Sequence, residues 1–209
     1  MAHKKQKRLK SNRSFDDIGF VTAFKQGNSI TKLSVIILGL GNLFHKQIIR
    51  GLIMLSIEIV YIYYMIIFGL NSLKDFLTLG TKEQGEVFNE TKQIYEYVMG
   101  DNSMLCLLYG IVTISLTLGF ILLMISSVKN AYSTQRKVEL GKPIPTFKED
   151  LSSLKGKNLH KGLLFLPITG ILCFTIIPLI FMILIAFTSY DRNHQPPGNL
   201  FDWVGLEHF

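Results

Sequence analysis

The sequence predicts an all-α integral membrane protein that crosses the bilayer three times. Only 18% of its 209 residues are charged, and these charges are almost absent from three long apolar blocks. A soluble chain instead distributes charge along its helices, so that each keeps a hydrated face. A single segment in lipid must satisfy its own backbone hydrogen bonds, so each block is predicted to be a helix. The blocks are residues 51–70, 104–128 and 163–187.

Each block is long enough to cross the hydrocarbon core. A helix rises about 1.5 Å per residue, so about 20 residues cover a core of about 30 Å. The first block, GLIMLSIEIVYIYYMIIFGL, meets this length, and the two longer blocks can span with tilt. The alternative, a buried helix of a soluble protein, is disfavoured because such helices rarely run this long without charge.

Lysine and arginine are concentrated in two of the segments outside the blocks. Residues 1–50 carry ten of them and the loop 129–162 carries eight, against three in the loop 71–103 and one in the segment 188–209. Basic residues are retained on the cytoplasmic side of membrane proteins. The N-terminus and the second loop are therefore predicted to be cytoplasmic, and the C-terminal segment external.

The region before the first block divides into two parts. Residues 1–28 form a polar, basic tail, HKKQKRLK at its start, for which attraction to anionic lipid is favoured over a role as a nucleic-acid arm. Residues 29–50 are predicted to be an interfacial helix or hairpin, because the apolar run 33–40 is too short to span. Lys46 and Arg50 would then lie at the headgroups.

Glu58 is the charged residue of the first block. An ionisable group in lipid is costly, and it raises a functional hypothesis by default. The alternative is a structural hydrogen bond to a neighbouring helix, such as a bond to a hydroxyl of the second span, or a protonated acid. The blocks offer no second acidic or basic residue, so a proton relay lacks members and the structural interpretation is favoured.

Two loops carry signs of short helices. In the external loop, six apolar or small residues recur at helical spacing and predict a short amphipathic helix. They are Val87, Phe88, Thr91, Ile94, Tyr95 and Val98. In the second loop, Thr146 and Glu149 have the spacing of a capping box, which predicts a short helix after Pro145.

The sequence offers little basis for an enzyme. Cys106 and Cys173 lie inside apolar blocks, where a thiol is usually a packing residue. The blocks hold no cluster of His, Asp or Glu for metal or acid–base chemistry, and no phosphate loop or nucleophile elbow occurs. No catalytic residue, metal ligand or cofactor is therefore predicted.

The third block and the residues after it resemble a known family. The region LLFLPITGILCFTIIPLIFMILIAFTSYDRN, followed by FDWVGLEHF, resembles the start of the permease core in sugar importers of the ABC class. The preceding residues resemble the N-terminal extension of maltose/maltodextrin permease subunits of Gram-positive bacteria, on the stretches GLGNLFHKQIIRG, LTLGT and GDNSMLCLLYG. The family-like positions are Pro167, Pro178, Phe187, Thr188, Tyr190, Trp203, Gly205 and Phe209.

The resemblance implies a transport function that depends on other subunits. The chain would be the N-terminal part of a permease for maltodextrin-like oligosaccharides, in the plasma membrane of a bacterium. Its implied partners are a second permease subunit, ATPase subunits that hydrolyse ATP, and an external sugar-binding lipoprotein, with no nucleic acid. The family's ATPase-docking loop, marked by Glu-Ala-Ala, has no counterpart here, so no docking or sugar-binding residue is assigned. The alternative is a free-standing three-span assembly or regulatory protein.

Overall fold

The computed structural model describes residues 19–156, 159–196 and 198–207. Most of these residues are helical, and they include one antiparallel pair of strands. The helices are α1 (Phe20–Gln26), α2 (Ser29–Leu33), α3 (Leu40–Phe44), α4 (Ile48–Tyr64), α5 (Leu70–Thr78), α6 (Ser103–Glu139), α7 (Phe147–Lys155), α8 (Leu159–Ile171) and α9 (Ile177–Ile185). The strands are β1 (Gly85–Asn89) and β2 (Ile94–Val98). Most of the predicted basic tail lies outside the described residues.

Three helical stretches among the described residues are long and apolar enough to cross a membrane. They are Ile48–Thr78, Ser103–Glu139 and Gly162–Ile185, with 31, 37 and 24 residues. The prediction of an all-α membrane protein with three spans is confirmed. The first two helices extend beyond their apolar blocks, and their additional residues include polar and charged ones.

The first and third spans each contain a π-helical turn, at Met65–Gly69 and Leu172–Ile176. The second of these turns ends two residues before Pro178, which lies at the start of α9. Proline has no N–H to donate to the carbonyl four residues earlier, and its ring crowds the preceding turn. A widened turn next to the proline accommodates this break in the hydrogen-bond ladder. Pro167 lies inside α8.

The chain divides into two compact units. Unit 1 comprises residues 1–63 and 119–160. Its buried apolar core is formed by Ala23 of α1 with Val128 and Tyr132 of α6. The C-terminal part of the long helix α6 therefore packs against the segment that precedes the first span.

Unit 2 comprises residues 64–118 and 161–209. Its core contains the buried side chains of Leu79, Leu107 and Ile111, together with Phe201 from the stretch after the third span. Four partly buried residues of α9 pack against the same cluster: Ile177, Phe181, Leu184 and Ile185. The core of unit 2 thus joins the end of the first span and the residue after it, the second span, the third span and the C-terminal stretch.

Residues 29–50 form α2, a series of turns, α3 and the start of α4. Gly39 is the N-cap residue of α3 and has a φ of 80°, a left-handed conformation that glycine adopts without a side-chain clash. A helical segment is therefore present where the sequence predicted an interfacial helix or hairpin. Its position at the membrane interface stays a prediction.

The prediction of an amphipathic helix in the loop between the first and second spans is wrong, because residues 85–98 form a β-hairpin. Phe88 pairs with Tyr95 and Glu86 with Tyr97 across the two strands. The same apolar residues satisfy a helical spacing, but β-branched and aromatic residues favour strands. The side chain of Asn89 closes the turn, since its Oδ1 accepts the N–H of Thr91 at 3.0 Å.

The capping box of the second loop is confirmed. The N–H of Glu149 donates to Oγ1 of Thr146 at 3.4 Å, and the N–H of Thr146 donates to Oε2 of Glu149 at 2.9 Å. The two side chains thereby satisfy two backbone donors at the start of α7.

Candidate functional sites

Glu58 lies in α4 of unit 1, where only 8% of its surface is exposed. Its Oε2 accepts the backbone N–H of Leu38 at 2.9 Å. Leu38 belongs to the turns between α2 and α3, so the carboxyl group of the first span holds the segment that precedes it. A buried backbone N–H without a partner would be costly, and Glu58 removes that cost.

The second span contributes to the same turn through a hydroxyl group. The N–H of Gly39 donates to Oγ of Ser127, which is fully buried in α6, at 3.1 Å. The expected bond from Glu58 to a hydroxyl of the second span is therefore corrected. The acid and the hydroxyl bind two adjacent backbone amides, of Leu38 and Gly39.

A third side chain completes what we call the polar anchor: Glu58, Ser127 and Ser34, with the amides of the turn that they bind. Oγ of Ser34 accepts the N–H of Gly41 at 2.8 Å and donates to the carbonyl of Ile30 at 3.1 Å. All three side chains of the anchor are buried. Their chemistry is that of hydrogen-bond partners for a tight turn.

The polar anchor requires a close approach between backbones. A Cβ on Gly41 would lie 2.5 Å from Cβ of Ala131 in α6 and 2.9 Å from Oγ of Ser34. Any larger residue would therefore push α3 away from α6. This contact explains why the stretch GLGN, one of the family-like segments, has glycine at position 41.

Polar contacts continue along the end of α6. Oε1 of Gln135 accepts the backbone N–H of Asn28 at 3.0 Å and the hydroxyl of Thr31 at 2.8 Å. The hydroxyl of Tyr132 donates to Oε1 of Gln26 at 3.0 Å. These bonds tie the region before the first span to α6, and sequence reasoning missed them because the partners are more than 100 residues apart.

In unit 2, the chain turns back on itself directly after the third span. Thr188 and Trp203 form an antiparallel bridge. The N–H groups of Val204 and Gly205 both donate to the carbonyl of Phe187 at 3.0 Å. Gly205 has a φ of 64°, which fits the sharp turn at this point.

Aromatic rings hold this returning stretch in place, and we call Phe76, Tyr190, Phe201 and Trp203 the aromatic platform. The ring of Trp203 meets Phe76 edge-on at 5.7 Å between centroids, and Tyr190 meets Phe201 in the same way at 5.6 Å. Such edge-to-face pairs are a favoured geometry of aromatic side chains. Nε1 of Trp203 also donates to the carbonyl of Phe76 at 3.1 Å.

The platform is fixed to the start of the second span as well. The N–H of Phe201 donates to Oγ of Ser103, the first residue of α6, at 3.2 Å. Phe201 and Ser103 are both fully buried. The stretch after span 3 is thus held against the end of α5 and the beginning of α6.

The structure brings together most of the family-like positions of the C-terminal stretch. Phe187, Thr188, Trp203 and Gly205 form the returning pair of chain segments, and Tyr190 belongs to the platform. Pro167 and Pro178 lie within span 3, Glu58 belongs to unit 1, and Phe209 lies outside the described residues.

Sequence reasoning missed two residues of the platform and two that pack against it or bind it. They are Phe76, Leu79, Ser103 and Phe201. Leu79 and Ser103 lie inside LTLGT and GDNSMLCLLYG, so the family-like stretches marked these positions without showing their purpose. The structure supplies it: both side chains are fully buried in unit 2.

A charged group lies beside the platform in the loop before α6. Backbone N–H groups of Thr81 and Lys82 donate to Oδ2 of Asp101 at 2.8 and 3.0 Å. The hydrogen bond from Thr81, with a smaller contribution from Lys82, lowers the pKa of this carboxyl below its ordinary value, against the opposing effect of burial. Asp101 therefore acts as an ionised clamp on the turn after Gly80.

The described residues of the two units offer no cluster of metal ligands. Among the residues that the structure describes, no group of three or more His, Cys, Asp or Glu side chains lies close enough together to hold a metal ion. The two anchoring sites bind backbone and side chains of the protein itself, and their chemistry is structural.

Comparison with known proteins finds similar sequences among sugar-transport permeases. The chain is 32% identical over 186 residues to the maltodextrin transport system permease protein MalC of Streptococcus pneumoniae, a match that covers 88% of this chain and 39% of the relative. It is 29% identical over 189 residues to the maltodextrin transport system permease protein MdxF of Bacillus subtilis, covering 90% of this chain and 40% of the relative. The galactooligosaccharides transport system permease protein GanP of Bacillus subtilis is 29% identical over 188 residues, covering 88% and 40%.

The chain is homologous to part of these oligosaccharide permeases. The family resemblance predicted from the residues is confirmed. The chain spans about 40% of the length of the curated relatives that it matches. Together with the three apolar helices, the relationship makes this permease homologue a multi-pass protein of the cell membrane. No family model matches the chain, and no solved structure shows significant similarity to it.

Proposed function

We propose that this chain is the N-terminal part of the transmembrane permease subunit of an ABC importer for maltodextrin-like oligosaccharides. The observation that carries the proposal is the match along nearly the whole chain to permeases named for maltodextrin and galactooligosaccharides. The packing of unit 2 supports it, because Phe187, Thr188, Trp203 and Gly205 pair with one another and Tyr190 packs against the buried ring of Phe201.

In this proposal the described residues supply the framework of transport rather than its chemistry. Import would proceed by alternating access, and ATP would be hydrolysed on partner subunits. The polar anchor fixes the region before span 1, and the aromatic platform fixes the stretch after span 3. Glu58, on this account, is a structural hydrogen-bond acceptor for the amide of Leu38 and carries no proton along a pathway.

The partners would be a second permease subunit, ATPase subunits and an external sugar-binding lipoprotein. The relatives are named as permease proteins of transport systems, which supports an assembly of several components. The bilayer is the remaining partner, since the third span exposes large apolar side chains such as Phe174, at 84% of its surface.

We infer that the N-terminus is cytoplasmic and that the segment after span 3 is external. Eighteen of the 22 basic residues lie in residues 1–50, before the first apolar block, or in residues 129–162, between the second and third blocks. Such a bias orients membrane proteins with these segments inside. The hairpin of β1 and β2 would accordingly be external, and α7 cytoplasmic.

Sugar uptake tests the proposed function. Cells that lack the gene should lose uptake of labelled maltodextrin and keep uptake of glucose, and the intact gene should restore the loss. Labelled galactooligosaccharide in a parallel assay separates the two substrate classes named for the relatives. Unchanged uptake of both oligosaccharides in the deleted strain would favour the alternative of an assembly or regulatory protein.

Cysteine labelling tests the orientation. Single cysteines at Glu90 in the hairpin turn and at Leu140 after α6 would be introduced after replacing Cys106 and Cys173 with alanine. A membrane-impermeant maleimide added to intact cells should label position 90 and leave position 140 unlabelled until the cells are opened. The reverse pattern would overturn the orientation while leaving the permease assignment intact.

A further inference from the structure

Unit 1 contains a cavity of about 650 Å³ at the beginning of the first span. One wall is the link between α3 and α4 with the first turn of α4, and the opposite wall is the loop that leads to α7. The side chain of Gln47 joins the walls, because its Nε2 donates to the carbonyl of Pro145 at 3.0 Å. The cavity is therefore formed by two segments held in a defined relation within one unit.

Both walls of the cavity include residues with cationic side chains. Lys46 and Arg50 come from the first wall and Lys142 from the second. Of the described residues that line it, none is an aspartate or glutamate. Glu149, which follows the lining residues along the chain, already accepts the N–H of Thr146 at 2.9 Å.

The backbone adds to this positive potential. Ile48, Ile49 and Arg50 form the first turn of α4, which has 17 residues and continues into span 1. The N–H groups of a helix's first turn have no acceptor within the helix, and the helix dipole is positive at this end. An anion in the cavity would meet these donors and the lysine ammonium groups together.

Apolar side chains next to the cations indicate which anion fits. Ile48 and Ile49 line the cavity and still expose 59% and 52% of their surfaces, and Phe147 lines the opposite wall. A free phosphate ion gains nothing from isoleucine and phenylalanine. A phospholipid places its phosphate beside its acyl chains, and the start of a membrane span lies at the depth where these two parts meet.

We propose that this cavity is a binding site for one acidic phospholipid. The phosphate would lie among Lys46, Arg50, Lys142 and the first turn of α4, and the acyl chains would run along Ile48 and Ile49. Bound there, the lipid would connect the start of span 1 to the loop before α7. This site is independent of the sugar that the permease carries.

The experiment measures lipid binding to the full 209-residue chain. The chain is purified in a neutral detergent, and its thermal unfolding is followed by circular dichroism with added phosphatidylglycerol, phosphatidylcholine or inorganic phosphate. Native mass spectrometry counts the lipid molecules that remain bound. We expect phosphatidylglycerol to raise the unfolding temperature and to be retained as one molecule per chain, whereas phosphatidylcholine and inorganic phosphate have little effect.

Variants locate the binding to the cavity. Lys46→Gln and Lys142→Gln should each weaken phosphatidylglycerol binding about fivefold, the change that about 1 kcal/mol per juxtamembrane cation implies. Lys46→Arg keeps the charge and should bind normally. Lys32→Gln removes an exposed lysine of unit 1 that does not line the cavity, and it serves as the matched control.

Three outcomes would overturn the proposal. The first is an equal response to phosphatidylcholine, which would mean that acidic headgroups are not selected. The second is full retention of phosphatidylglycerol by the double variant Lys46→Gln/Lys142→Gln when its circular dichroism shows an intact fold. The third is an equal stabilisation by inorganic phosphate, which would assign the cavity to a free anion.

Discussion

The polar anchor of unit 1 and the aromatic platform of unit 2 solve the same problem by different means. Each holds a chain segment that lies outside the spans against helices that continue into them. The polar anchor uses side-chain oxygens of Glu58, Ser127 and Ser34 on backbone N–H groups. The aromatic platform uses packed rings, with the buried Phe201 at its centre.

The difference follows from what each segment presents to its neighbours. The turns before span 1 contain glycines, which have no side chain to bury. The buried backbone N–H groups of these turns therefore need hydrogen-bond acceptors from neighbouring side chains. The stretch after span 3 brings large aromatic side chains, whose burial is favourable in itself. We therefore expect the platform to respond most to lost volume and the anchor to lost acceptors or to added volume.

The largest effect should come from truncating the centre of the platform. Phe201→Ala should destabilise unit 2 by about 3 to 5 kcal/mol, because it removes a fully buried ring and leaves a cavity. Trp203 is the protein's single tryptophan and belongs to the platform, so its fluorescence during denaturation reports on this unit. Leu206→Ala, at an exposed position of the same stretch, is the control and should leave the transition almost unchanged. A Phe201→Ala transition as stable as the wild type would mean that the platform contributes no packing energy.

The second-largest loss of stability should come from adding volume to the polar anchor. Gly41→Ala places a methyl group 2.5 Å from Cβ of Ala131 and 2.9 Å from Oγ of Ser34, and overpacking of this kind costs about 1 to 3 kcal/mol. Circular dichroism during thermal unfolding measures the loss. Adding Ala131→Gly should recover much of it, since the compensating change removes the nearest atom. Failure of the double variant to recover any stability would place the cost of Gly41→Ala elsewhere.

Removing the acidic acceptor should have an effect of similar or smaller size. Glu58→Ala leaves the buried N–H of Leu38 without its partner, at a cost of about 1 to 3 kcal/mol. Glu58→Gln keeps a carbonyl oxygen at the same position and should retain most of the stability. Hydrogen exchange of the Leu38 amide is the local readout, and it should accelerate in Glu58→Ala alone. Equal acceleration in both variants would show that the negative charge matters more than the acceptor.

Hydropathy alone predicted the spans, because twenty or more uncharged apolar residues have few structural alternatives. The capping box of Thr146 and Glu149 could also be predicted, since its two residues are only three positions apart in the sequence. The hairpin was misjudged because residues such as Val87, Ile94 and Val98 fit a helical period and a strand composition at once. In a short segment the cross-strand pairs decide the outcome, and they are not visible in the spacing.

The anchor and the platform were beyond sequence reasoning for a different reason. Glu58 was recognisable as unusual, but its partner is a backbone amide 20 residues away. A backbone N–H is common to almost every residue, so the sequence does not indicate which one binds. Phe201 and Ser103 are 98 residues apart. Contacts of this kind depend on how the spans pack. The family-like stretches indicated some of the residues involved but not their partners.

The smallest expected effect is a pH dependence of the ionised clamp beside the platform. The lowered pKa of Asp101 means that its carboxylate stabilises the turn fully above the ordinary value of 3.8 and loses this contribution as the pH falls through the lower folded value. We expect a loss of about 1 kcal/mol or less, on the scale of one hydrogen bond. The amide exchange of Thr81 and Lys82, corrected for intrinsic rates, should therefore show less protection at pH 3 than at pH 6.

Asp101→Asn isolates the clamp from other acids that titrate in the same range. Asp191 and Glu96 also have lowered pKa values, through hydrogen bonds from His194 and Lys92 respectively, so whole-protein stability would mix their contributions. Asparagine keeps an acceptor oxygen but does not ionise, and the protection of Thr81 in this variant should no longer depend on pH between 6 and 3. If the pH dependence persisted in Asp101→Asn, another acid would control the turn, and the ionised carboxylate of Asp101 would not be the group that stabilises it.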